Sequence, residues 1–78
     1  MERFFLHVRD GDLLLHDPDG SCLHDLEAAR SLALDSAREL MVHSIKSEGR
    51  IGIERSMEIC DVGGATLLVL PFREAIAT

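Results

Sequence analysis

The stretch from Arg3 to His16 constrains the fold more than any other part of the chain. Phe4-Phe5-Leu6-His7-Val8-Arg9 reads as a strand, and Asp12-Leu13-Leu14-Leu15-His16 reads as a second. Asp10-Gly11 lies between them. Asp-Gly between two apolar runs predicts a tight hairpin, because a type I′ turn needs φ > 0 at both central positions and these residues tolerate it best. Asp17-Pro18-Asp19-Gly20 ends the hairpin, with Pro and Gly at the second and fourth positions of a type I turn.

A long helix follows. Asp25 is the predicted N-cap, since its carboxylate can accept from first-turn N–H groups and suits the positive end of the dipole. The body from Leu26 to Glu48 is rich in Ala, Leu, Arg and Glu, and Gly49 is the stop. Leu26, Ala29, Ala33, Ala37, Leu40 and Met41 fall in one arc, flanked by Leu34 and Ile45. The alanines in that stripe let the helix backbone sit close to a sheet.

Residues 50–56 form the return loop, with Ile51 and Ile53 as anchors to the core edge. Residues 57–62 read as a third strand, Gly63-Gly64 as a two-residue turn and residues 65–72 as a fourth strand. Pro71 belongs at a strand end or edge, since it cannot donate to a ladder. Glu74 to Thr78 form a short tail of one helical turn. The expected fold is therefore a single α+β domain over residues 1–78. It is a β-β-α-β-β chain whose four-stranded, mainly antiparallel sheet carries one long helix on one face. Strand orders 2-1-3-4 and 1-2-4-3 both satisfy short connections, and a central parallel pair of the first and fourth strands does too.

Alternation assigns faces. Phe4, Leu6 and Val8 oppose Phe5, His7 and Arg9, while Leu68, Leu70 and Phe72 oppose Leu67 and Val69. The last strand is thus apolar on both sides, yet one helix covers only one side of a sheet. Phe5, Leu14, Leu67 and Val69 are the candidate interface, with a second copy of the chain as the simplest cover. A domain this small buries only about 60% of its unfolded surface, which adds to the case for association.

Composition narrows the function classes. A net charge of −6 with eight scattered basic residues supplies no footprint for nucleic acid. Aromatic platforms are scarce, with three Phe and no Trp or Tyr. The longest apolar run, Ala65 to Phe72, is too short to span a membrane, and Met1-Glu2-Arg3 leads straight into a strand without a secretory apolar segment. Cys22 and Cys60 do not form a disulfide framework and fit free thiols in a cytoplasmic protein.

The chemistry-bearing residues form no recognisable catalytic set. His7, His16, His24 and His43 with Cys22 invite a metal reading, but Cys22-x-His24 lacks the spacing and the second pair of a zinc site. With Asp10-Gly11 as the turn, His7 falls opposite Leu14, and His16 lies beyond it. Asp17-Pro18-Asp19-Gly20 has too few acids for a calcium loop. Cys60 sits beside Asp61, which disfavours a thiolate. Ser36, Ser44 and Ser47 have no nucleophile elbow, and Gly63-Gly64 is no phosphate cradle.

Arg3-Phe4-Phe5-Leu6-His7-Val8-Arg9-Asp10-Gly11, Asp17-Pro18-Asp19-Gly20, Asp25-Leu26-Glu27-Ala28-Ala29-Arg30, Ala37-Arg38-Glu39-Leu40 and Val69-Leu70-Pro71-Phe72 together resemble a family of short uncharacterised alphaproteobacterial proteins, a domain of unknown function. The resemblance spans nearly the whole chain and lends no activity, cofactor or catalytic residue. It implies that His7 and the Asp10-Gly11 turn belong to the family pattern. The turn has a structural explanation; His7 has none, which marks it as a candidate functional residue. The expected function is non-enzymatic, without cofactor or metal: a protein-interaction domain, homodimeric or bound to another protein, with strand addition at a sheet edge as the first binding mode to examine. The alternative is a metal- or small-ligand-sensing domain built on His7, His16, His24 and Cys22.

Overall fold

The computed structural model describes residues 1–77 and shows the expected α+β architecture. Strands β1 (Glu2–Asp10), β2 (Leu13–Leu15) and β3 (Ser21–Leu23) precede helix α1 (Leu26–Glu48). Strands β4 (Ser56–Cys60) and β5 (Thr66–Pro71) and a short helix α2 (Arg73–Ala77) follow. Of the predicted tail, Thr78 lies outside the described residues.

All pairings are antiparallel, in the order β2-β1-β4-β5, with β3 also on β1. With β3 set aside, this is the order 2-1-3-4, one of the three arrangements that the sequence left open. β1 is the long central strand. Its inner edge pairs with β4, from Phe5↔Cys60 to Arg9↔Ser56. Its outer edge carries β2 opposite Val8–Asp10 and β3 opposite Glu2–Phe4. Among the described residues the sheet thus has five strands and not the expected four, because Ser21–Leu23, expected only to lead into the helix, pairs with β1 as well.

Both predicted turns are displaced slightly, for a backbone reason. The first hairpin turns on Gly11-Asp12, because Asp10 pairs with Leu13. Gly11 has φ 62° and no non-glycine residue among the described ones has positive φ, so a type I′ turn is excluded; Gly at the first central position matches type II′. The slip is of two residues, so each side chain stays on its assigned face. In the second hairpin, Gly64 N–H donates to Asp61 O at 3.1 Å and Asp61 N–H donates to Ala65 O at 3.0 Å. Gly64 has φ 88°, giving a three-residue loop that closes through a left-handed glycine.

α1 is capped at both ends as the sequence predicts. Asp25 Oδ1 accepts from Ala28 N–H at 2.9 Å, and Gly49, at φ 73°, donates to Ile45 O at 3.0 Å. Ala29, Ala33, Leu34, Ala37, Met41 and Ser44 are its buried residues. The buried arc is the predicted one, with Ser44 in its middle; Leu26, in the first turn, and Ile45, at the flank, are 38% and 51% exposed. Arg55 explains the buried hydroxyl. Its guanidinium donates to Ser44 Oγ at 2.8 Å and to the Gly52 and Ile51 carbonyls, and lies 4.8 Å above the Phe72 ring. This clamp fastens the return loop to the helix and to the end of β5. Of the two loop isoleucines, Ile51 packs against the core and Ile53 is exposed.

Between helix and sheet lie Phe4, Met57, Ile59 and Phe72, the largest fully buried side chains, each contributing about 1.5–3 kcal/mol by leaving water. Ala33 and Ala37, on the buried side of α1, are 0% and 1% exposed. Ala33→Leu should lower stability by about 1–3 kcal/mol through overpacking. A melting temperature lowered by about 4–8 °C for each kcal/mol is the expected readout in thermal denaturation.

Candidate functional site

The face of the sheet away from α1 is crossed by Leu14 on β2, Phe5, His7 and Arg9 on β1, Ser56, Glu58 and Cys60 on β4, and Val69 on β5. Leu67 lies at its margin, in the β5 irregularity opposite Ile59 and Cys60. All four predicted interface residues thus lie on one side. Leu67 and Val69 are 41% and 50% exposed, while Phe5 and Leu14 are half-buried. Phe5, His7, Arg9 and Leu14 share a shallow hollow of about 460 Å³; Leu67 and Val69 lie beyond β4 from it. Arg9 Nε donates to Glu58 Oε2 at 2.9 Å across this face. That bond to Glu58 raises the Arg9 pKa above its ordinary value.

His7 gains a structural role that sequence reasoning did not find. Between β2 and β3, residues 16–20 lie opposite only residues 5–7 of β1, so two extra residues must bulge from the edge. Such a bulge would leave the Leu6 N–H without a ladder partner. Asp17 supplies one: its Oδ2 accepts from Leu6 N–H at 3.2 Å. Its Oδ1 accepts from the Asp19 and Gly20 N–H groups at 3.3 and 3.1 Å. Asp17's own N–H donates to His7 Nδ1 at 3.0 Å. A ring nitrogen that accepts is unprotonated, so the neutral ring carries its proton on Nε2.

The neighbouring rings complete the arrangement. His16 meets His7 edge-on at 5.1 Å between centroids, and Phe5 lies near parallel to it at 6.3 Å. The expectation that His16 falls beyond the reach of His7 is corrected, because the true hairpin register brings position 16 back opposite position 7. Gly20 is needed where the bulge closes. It has φ 69°, and a Cβ there would lie 2.9 Å from the Phe5 ring and 3.0 Å from Phe4 O. The pattern Phe5-x-His7 with Asp17 and Gly20 was legible as residues; the wide bulge joining them was not.

The other candidates are dispersed. His24 and Cys22 are exposed, and His43 lines a separate cleft of about 580 Å³ between α1 and the β1–β2 edge. Cys60 is buried with its sulfur 3.6 Å from Thr66 Oγ1. Among the described residues, no three His, Cys, Asp or Glu side chains are grouped to hold a metal ion. No described helix is long and apolar enough to cross a membrane.

The fold and this face define a two-layer α+β domain with one covered and one open sheet surface. The chain belongs to a family described as a domain of unknown function, DUF6894, whose model matches residues 3–73. No curated protein and no solved structure matches it.

Burial raises the Asp17 pKa, but hydrogen bonds from the Leu6, Gly20 and Asp19 amides and the nearby His7 outweigh it, so the net shift is downward. A lowered folded-state pKa means a stabilising contribution present above the ordinary value of 3.8 and lost as pH falls through the folded value. Asp17→Ala should destabilise by about 1–3 kcal/mol in chemical denaturation at neutral pH, since three amides lose their acceptor. Between pH 5 and the acid limit, the wild type should lose stability more steeply than Asp17→Asn.

Proposed function

We propose that this protein is a non-enzymatic interaction domain whose open sheet face pairs with a second copy of itself. The observation that supports this reading is the exposure of Leu67 and Val69, at 41% and 50%, on the face that also carries Phe5 and Leu14. An apolar sheet surface favours a layer against it, about 10 Å away in sheet-on-sheet packing.

The edges argue for the face rather than for strand addition. Phe72 N–H donates to Arg55 O, which turns the Leu70 and Leu68 amides toward β4 and leaves positions 69 and 71 on the free edge. Position 71 is proline and offers no N–H, so β5 is a poor template. At the opposite edge, β2 and β3 have three residues each and are separated by the bulge with Pro18. Both edges are blunted, and the face is not.

The face is also large enough. β1, β2, β4 and β5 have nine, three, five and six residues, and at about 4.8 Å between strands and about 3.3 Å rise per residue they project roughly 350 Å². With side-chain relief, two copies remove about 1,000 Å² from solvent, the lower bound for a specific interface. The Arg9–Glu58 pair near its centre is already satisfied within one copy, and its polarity limits affinity while favouring one orientation. The expected complex is a two-fold homodimer with a dissociation constant on the order of micromolar.

Analytical ultracentrifugation at about 10–200 µM should show a concentration-dependent monomer–dimer equilibrium. Val69→Asp should yield a monomer with an unchanged far-ultraviolet circular dichroism spectrum. A wild type that sediments as a monomer throughout that range overturns the proposal.

A further inference from the structure

We propose that His7 makes this self-association acid-sensitive: the copies stay together while the ring is neutral and separate when it takes up a proton. The inference rests on the self-association reading and adds to it a residue that decides when the contact forms.

The geometry starts from one hydrogen bond. His7 Nδ1 accepts the Asp17 N–H at 3.0 Å, and a nitrogen that gains a proton can no longer accept. Protonation therefore sets two N–H groups against each other at the point where the bulge is tied to β1. The bulge in turn holds Phe5, whose ring lies against Gly20, on the face that is to be covered.

Asp17 is the carboxylate that favours a charged ring, and it and the other acids near His7 already hold backbone or arginine partners. From β4, Glu58 is directly opposite His7, but its Oε2 is engaged by Arg9 at 2.9 Å. From the bulge, both Asp17 oxygens already accept backbone N–H groups. Asp61, at the far side of the hollow, accepts from Gly63 and Ala65 through Oδ1 at 2.9 Å each. The remaining charged neighbour on β1 is Arg9, a cation. His16, 5.1 Å away between ring centroids, adds a second ring of the same kind. At a two-fold contact every such group occurs twice, so one protonation event per copy places two like charges in a layer that association would dry.

The Asp17 carboxylate is not the group that reads acidification to pH 5. Asp17 stays ionised at pH 5, since its pKa lies below the ordinary 3.8. Histidine is the side chain whose ordinary titration, near pH 6.5, falls in the interval tested.

Sedimentation of the wild type at pH 8 and pH 5 should show a dissociation constant about tenfold or more higher in acid. His7→Asn keeps an acceptor at the δ position but cannot titrate, so it should associate equally at both values. His16→Gln should retain the acid response. A wild type equally dimeric at both pH values overturns the role of His7 and leaves self-association standing. A monomer at pH 8 overturns both. A His7→Asn chain that dissociates in acid like the wild type also overturns the proposal. If that variant does not fold, NMR of the wild type decides: the Asp17 amide and the His7 ring must titrate with one midpoint, and an amide that ignores the ring overturns it.

Discussion

The contact between the alanine stripe of α1 and the inner side of the sheet governs the rest of this structure. Because Ala29, Ala33 and Ala37 have almost no exposed surface, the helix lies close over the sheet, and Phe4, Met57, Ile59 and Phe72 fill the space around it. A single helix placed this way covers one side only. The opposite side has a β-strand's alternation and no second layer, so its Leu and Val side chains remain in water. Core and open face are two results of one packing decision.

The secondary structure was legible because each element carries its own local physics. Asp25 and Gly49 bracket the helix through capping chemistry that acts within one turn. Alternation assigned faces correctly even where the hairpin register was two residues off, since an even slip keeps every side chain on its side. That the stripe would bury a hydroxyl at Ser44 was not legible. It depends on Arg55, eleven residues away, which supplies the hydroxyl with a partner in the interior.

The site was legible only in part. That Phe5, Leu14, Leu67 and Val69 share one side of the sheet followed from periodicity. The use of His7 did not, because it depends on how residues 16–20 bridge the interrupted edge strand. A proline-containing turn signal at Asp17-Pro18-Asp19-Gly20 was read as the end of pairing, whereas the chain resumes pairing at Ser21 on the same edge. Asp17 makes that possible by substituting a side-chain carboxylate for a missing backbone carbonyl opposite Leu6. The same residue types that suggested a turn or an ion site are engaged in repairing a sheet.

The pairing of β1 with β4 has a kinetic consequence. The two hairpins close through connections of a few residues, but this central seam joins distant positions; Arg9 and Glu58, for example, are 49 residues apart along the chain. Bringing such distant segments together carries the larger loss of chain entropy, although that loss grows only slowly with loop length. Non-local seams of this kind lower folding speed relative to helical bundles of equal size. Time spent before the seam closes is time in which the apolar sides of both hairpins meet solvent, and other chains, unshielded.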